Sequence, residues 1–338
     1  MKLHVKKLSY LFIVFLLAGQ SLLSTARAAN EPIKVGFILS TLQEERYLKD
    51  QKYFLDEAKR LNFEAIIVSA DNNPQTQTAK VENLLSRGVH ALVIQPVNSA
   101  AAANLVKLAH EDKVPVVAYD RMIDNSPVDF YVTQDSYKVG VLQAEAAVKA
   151  TGGRGQYVIL MGQAGHSVAN EITRGNLDVL KNYPLVKVIV QKNHENWSPA
   201  LALATVENSL AQSKNNIQAI LANNSGMANA AVQAVTEQKL SGKIFVAGAD
   251  ADLSAVKNIV AGKLQLDILK DIEPLARTSA QVAWQLARRE KPKPTASVKS
   301  GTYTVPTIAT PVYPIDKSQL EERIFKSGFH TKAAVYGK

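Results

Sequence analysis

The 338-residue chain contains no cysteine. That excludes disulfides, thiol catalysis, thiolate metal sites and a lipid anchor on an N-terminal cysteine. Histidine is scarce, with six residues and no metal-ligand spacing among them. His166 and His194 fall near strand ends and are read as surface residues. Asp250-Ala251-Asp252 lacks a third acid or histidine nearby, so no metal is expected. Charge of one sign does not dominate: 39 Lys and Arg are set against 30 Asp and Glu, dispersed along the chain. With no basic run beside an aromatic ladder, nucleic acid is not an expected partner. Enzyme signatures are missing as well. There is no P-loop, no Gly-rich phosphate fingerprint after a strand and no His-Glu-x-x-His. Gly162-Gln163-Ala164-Gly165 is too short for a dinucleotide loop, and Gly165-His166-Ser167 is not a nucleophile elbow. No catalytic residue and no cofactor is expected.

Long apolar runs are confined to the start. Lys2, Lys6 and Lys7 precede a mostly apolar stretch from Leu8 to Leu23, and Ala26-Arg27-Ala28 offers small residues for cleavage. Gly19, Gln20 and Ser21 interrupt the stretch, which is marginal against the ~20 apolar residues of a membrane span. Residues 1–28 are therefore read as a cleaved signal peptide and the protein as exported. The roughly 310 residues that follow suit two domains with separate cores.

What is present is alternation. Ile33–Leu39, Ala65–Val68, Ala91–Gln95 and Pro115–Tyr119 read as strands. Between them Glu44–Leu61, Gln75–Arg87 and Ala100–Glu111 read as helices. Leu48, Leu55, Ala58 and Leu61 are expected on the inner face of the first, and Val81, Leu84 and Leu85 on that of the second. After Gly152-Gly153-Arg154-Gly155 the pattern restarts. Strands at Tyr157–Met161, Val186–Gln191, Ala219–Ala222 and Ile244–Ala247 alternate with helices near Ala169–Asn182, Pro199–Ser213 and Met227–Lys239. This predicts an α/β protein of two doubly wound parallel-sheet units. Ile272–Arg288 reads as one more helix, and the tail beyond Thr302 is too short for a third domain.

Open parallel sheets bind ligands beyond the carboxyl ends of their strands. The residues just after these strands, and after a further one at Gln265–Ile268, include Arg46, Tyr47, Asp120, Arg121, Asn170, Trp197, Asn224, Asp250 and Lys270. Forked and planar polar groups suit pairs of hydroxyls, and aromatic faces suit C–H patches, so a sugar matches this set. Taken singly, Asp120, Asn224 and Asp250 also suit helix caps or turns, Arg46 and Arg121 suit the surface, and Trp197 suits a core or a domain interface.

Several strings carry a resemblance over essentially the whole chain after residue 28. They are Glu45-Arg46-Tyr47-Leu48-Lys49-Asp50, Ala118-Tyr119-Asp120-Arg121-Met122-Ile123, Asn196-Trp197, Ala222-Asn223-Asn224, Gly248-Ala249-Asp250-Ala251-Asp252-Leu253 and Ser327-Gly328-Phe329-His330. The chain resembles the periplasmic sugar-binding proteins of the ribose/xylose group, most of all those that bind D-xylose. The resemblance implies the type I periplasmic-binding-protein fold, two lobes joined by a three-segment hinge. Crossings are expected near Val132–Ser136, Lys270–Ile272 and Thr302–Thr307, giving lobes of 29–133 plus 272–304 and 134–271 plus 305–338. It implies that Arg46, Asp120 and Arg121 face a monosaccharide from the first lobe, and Asn224, Asp250 and Lys270 from the second lobe and hinge. Trp197 and Tyr47 would supply the aromatic faces. The xylose-binding members carry Asp-Asn-Asn where this chain has His166-Ser167-Val168-Ala169-Asn170, and Asp where it has Ser225; Asn170 is expected to restore one contact. The implied partner is the membrane permease of an ABC transporter, met by a periplasmic monomer. The alternative is presentation of the sugar to a chemoreceptor or sensor kinase. A repressor effector domain of this fold would need a helix-turn-helix in place of the signal.

Overall fold

The computed structural model describes residues 32–337. The signal-peptide expectation lies outside the described residues. Among those described, no helix is long and apolar enough to cross a membrane.

Alternation produces two sheets. The first takes β1 (Lys34–Leu39), β2 (Glu64–Ser69), β3 (Ala91–Ile94), β4 (Val116–Tyr119) and β5 (Phe130–Gln134), with β11 (Ala296–Ser300) and β12 (Tyr303–Thr310) from the tail. Its order is β11-β12-β5-β4-β3-β1-β2, parallel except where β11 pairs with β12. The second takes β6 (Arg154–Met161), β7 (Leu185–Asn193), β8 (Ala219–Ala222), β9 (Phe245–Ala249), β10 (Leu266–Lys270) and β13 (Val312–Ile315). Its order is β13-β10-β9-β8-β6-β7, with only β13 antiparallel. Central strands such as β3 and β8 are buried along their length, as sheets covered on both faces require. Strand order reverses at β1 in the first sheet and at β6 in the second, which are the crevice-forming points of such folds.

Helices α1 (Arg46–Leu61) and α9 (Ile272–Ala287) cover one face of the first sheet, through Phe54, Ala58, Leu275 and Ala276. α2 (Pro74–Ser86) and α3 (Ala103–Glu111) cover the other, through Val81, Leu84, Leu105 and Val106. The second sheet carries α4 (Ser136–Thr151), α5 (Ser167–Leu180), α6 (Pro199–Gln212), α7 (Ser225–Glu237) and α8 (Leu253–Val260) on one continuous core. Local chemistry starts these helices. Asn73 and Ser198 accept from Thr76 N and Leu201 N ahead of Pro74 and Pro199, and Asp135 accepts from Lys138 N.

The chain passes between the sheets three times. Gln134 ends β5 and Ser136 opens α4; Lys270 ends β10 and Ile272 opens α9. The third passage differs from the expected Thr302–Thr307. β12 stays paired to β5 as far as Thr310↔Gln134, and β13 pairs with β10 from Val312, so the chain changes sheet at Pro311. Pro306 does not end β12, because it lies within the antiparallel pairing to the edge strand β11.

The inner face of α1 also differs from expectation. Leu48 and Leu55 are 69% and 46% exposed, while Arg46, Tyr47, Asp50, Phe54 and Glu57 are buried. This helix turns its charges inward because they have partners there. Arg46 pairs with Asp50 and Asp120, the Tyr119 hydroxyl donates to Asp50, and Glu57 binds Arg60 and Gln281.

Candidate ligand-binding cleft

The carboxyl ends of both sheets face one cavity between the lobes. It is lined by Glu44, Arg46, Tyr47, Asp120, Arg121, Val168, Trp197, Asn224, Asp250 and Lys270. Eight of the nine residues picked from the sequence meet there. The first-lobe set follows β1 and β4; the second-lobe set follows β7, β8, β9 and β10.

Three of these side chains are held by unusual backbone. Asp120, Trp197 and Asp250 have φ of 62°, 55° and 109°, a region non-glycine residues rarely occupy. Each such position costs of order 1–3 kcal/mol and persists only where its surroundings over-determine it. The Trp197 ring is seated against Gly162, where an added Cβ would lie 2.4 Å from ring atoms. Asn224 performs both roles open to it, since its Oδ1 accepts from Met227 N to cap α7 while the residue lines the cavity.

The charges form one network across the cleft. Arg46 Nη1 lies 3.4 Å from Asp120 and 3.9 Å from Asp250 on the opposite lobe, and Lys270 Nζ is 2.6 Å from Asp250. Burial pushes the Asp120 carboxyl up, but Arg46, Lys270 and Arg121 outweigh it and hold it below the usual carboxylate range. Gln95 Nε2 donates to the same carboxylate at 3.1 Å. Arg121 donates to Ser40 Oγ at 2.9 Å, Pro96 O at 3.2 Å and Tyr47 OH at 3.1 Å. Its buried Nε has no partner among the described residues, and neither has Glu44 Oε2. Such atoms are costly unless something in the cavity satisfies them.

Glu44 is a cavity residue that sequence reasoning missed. Burial raises its pKa against the pull of Arg121. The sequence pattern starts the helix at Glu44, whereas α1 begins two residues later at Arg46 and leaves Glu44 in the loop that meets the cavity. Asn170 is the reverse case. α5 already begins at Ser167, so Val168 and Ala169 turn inward and Asn170 turns outward and is exposed. Val168 therefore meets the cavity, and no amide contact is restored there. Ser225 is buried and supports the site from behind: its Oγ donates to Asp267 at 2.8 Å and accepts from Asp252 N. Asp267, whose pKa burial pushes up to about 7, also accepts from Ala251 N and so anchors the Asp250 loop.

His166 and His194 are both fully buried, contrary to the surface reading. His194 is bonded to Met161 O and Thr205 Oγ1, each at 3.0 Å. His166 belongs to a set of contacts that hold the lobes together. Leu253 N donates to Glu45 at 3.0 Å, Lys49 Nζ to Phe329 O at 3.2 Å, Met122 N to Ser167 Oγ at 2.9 Å and Ser99 N to Gly165 O at 3.1 Å. The cleft is closed.

Known proteins share this architecture. The family described as "Periplasmic binding protein domain" matches residues 35–291. The D-xylose-binding periplasmic protein of Escherichia coli (strain K12) is 35% identical over 327 residues, 96% of this chain and 98% of that protein. The chain belongs to the periplasmic binding protein family, in the ribose/xylose group. Members of this family are not enzymes. The periplasmic binding protein is also similar to the multiple sugar-binding periplasmic receptor ChvE of Rhizobium radiobacter, at 28% identity over 88% of this chain and 90% of that one. Among solved structures, the carbohydrate transporter solute binding protein from Chloroflexus aurantiacus in complex with D-glucose superposes with a TM-score of 0.83 at 25% identity. The match covers 90% of this chain and 98% of that one.

Proposed function

We propose that this periplasmic binding protein captures a monosaccharide, D-xylose or a related pentose or hexose, in the cleft and delivers it to an ABC-type sugar permease. The observation that carries this reading is the composition of the cavity wall. Arg46, Arg121 and Lys270 stand against Glu44, Asp120 and Asp250, with Asn224 among them and Tyr47 and Trp197 supplying rings. Three cations matched by three acids favour a ligand without net charge, and an ionic ligand would leave one side unbalanced. A polyhydroxylated ring offers donors and acceptors to both signs at once, and its C–H face suits an indole. The xylose name of the relatives supports the pentose end of the range. Val168 and Ser225 differ from the acidic and amide residues that the resemblance places there, so a sugar with a different hydroxyl pattern fits the same wall.

Binding residues on both lobes favour the closed form, because only a ligand touching both gains from closure. In this reading the protein is exported to the periplasm and acts as a monomer, and the closed form is what the permease receives. A thermal-shift panel of pentoses, hexoses and polyols tests it. Ligand at 1,000 times its Kd adds about 4 kcal/mol, which raises Tm by roughly 8 °C or more for lobes of this size. At least one monosaccharide is expected to do this at millimolar concentration. Silence across the whole panel would mean that the ligand is of another class.

A further inference from the structure

We propose that His166 is a positioning residue that couples the orientation of Trp197 to closure of the cleft. The inference rests on the cleft being the ligand site. The ring of His166 joins groups from opposite lobes. Its Nε2 bonds the carbonyl of Val97, after β3 in the first lobe, and its Nδ1 bonds the indole Nε1 of Trp197 in the second lobe at 2.9 Å. A carbonyl only accepts and an indole N–H only donates, so the ring is neutral with its proton on Nε2. Both ring nitrogens are then used, one by each lobe. The surrounding backbone makes the same junction, through Ser99 N to Gly165 O at 3.1 Å and Ser167 N to Ser99 Oγ at 3.2 Å. Opening the cleft must break the Val97 bond and expose His166 to water, leaving Trp197 with a partner that is free to turn.

The device has a second consequence. An imidazolium carries a proton on both nitrogens and cannot accept from Trp197, so the closed cleft excludes the charged form. Burial and the nearby Arg121 push His166 down to about 2 in the closed cleft, with Asp120 opposing. Those two residues are the charged groups facing the ring. In an open cleft the ring reverts toward its ordinary value of 6.5. Closing on a ligand below that pH therefore expels a proton, and affinity falls as the solution is acidified.

Titration calorimetry with D-xylose, D-ribose and D-glucose, between pH 7 and pH 5 in buffers of different ionisation heat, reads both effects. In the wild type, the affinity of whichever sugar binds is expected to fall roughly twentyfold over this range, with proton release approaching one per sugar. His166→Gln keeps a donor and an acceptor but cannot charge. It is expected to bind at pH 7 within a few-fold of wild type and to show a flattened pH profile. Wild-type binding without proton release overturns the proposal even if the variant fails to fold, and so does a variant that retains the full pH slope. Silence of the whole pentose, hexose and polyol panel in the thermal-shift test overturns the binding reading itself, and the coupling with it.

Discussion

Arg121→Ala is expected to weaken sugar binding at least about 100-fold while leaving the ligand-free fold intact. Arg121 is 4% exposed, donates to Ser40, Pro96 O and Tyr47 in the first-lobe wall, and has a buried Nε with no partner among the described residues. Charged hydrogen bonds of this kind are worth about 1.5–3 kcal/mol each, so losing two or more of them to a sugar accounts for the drop. The change leaves a water-filled gap at the mouth of a cleft and none inside a lobe core, which is why stability should hold to within about 2 kcal/mol. Arg121→Lys restores the charge without the planar fork and is expected to recover only part of the affinity. Asp250→Ala should behave like Arg121→Ala, because it frees Lys270 and removes the acid that faces Arg46 across the lobes. Calorimetry gives the affinities and circular dichroism melting the fold. Wild-type affinity in either alanine variant would remove these residues from the site.

Gly140→Ala is expected to act on stability with comparable force. α4 and α5 cross with their backbones in contact. A Cβ at Gly140 would lie 1.9 Å from Ile172 O and 2.8 Å from Asn176 N, and one at Gly175 would lie 2.2 Å from Tyr137 O. Asn176 Nδ2 fastens the crossing through Gly140 O at 2.8 Å. Overpacking a rigid contact costs typically 1–3 kcal/mol, and here the opposing atoms are backbone and cannot change rotamer. A loss of about 3 kcal/mol or more, seen as a fall in Tm of roughly 6–12 °C, is the expected result. Because α5 carries Val168 into the cavity and follows directly on His166, the variant should also bind sugar less well. A melting temperature within a degree of wild type would show that the helices can separate cheaply.

Strands β1–β4 and β6–β9, most of the helices and most of the strand-end residues were legible because each rests on a local pattern, whereas β5 and the tail strands β11, β12 and β13 were not read as strands. Apolar runs of four to eight residues mark buried strands, and the polar residues that follow them must lie at the sheet ends. What failed depends on partners far away in sequence. Leu48 and Leu55 read as the inner face of α1 because periodicity assumes that apolar means inward. Ala58 and Leu61 do pack on the core, and the inner face is shifted toward Arg46 and Asp50 because Asp120 and Tyr119 supply their partners. Asn170 and Val168 exchange places because the start of α5 decides which of them faces the cavity, and a one- or two-residue shift in a helix start turns a side chain by 100° or more. The passage at Pro311 was displaced to Thr302–Thr307 because β12 is held by β5, a pairing with no trace in the local sequence. His166 could not be read as buried, since both its partners come from other loops. The positive φ at Asp120, Trp197 and Asp250 likewise leaves no mark on a sequence without glycine there.

The most direct test of the account is a crystal structure of the protein grown with the sugar that stabilises it most. The account predicts one sugar ring in the closed cleft. Its hydroxyls should lie within hydrogen-bond distance of Arg121, Asp120 and Asp250, with its C–H face on Trp197 and a donor within reach of Glu44 Oε2. A sugar bound elsewhere, or a cleft closed on these side chains with none inside, would contradict it.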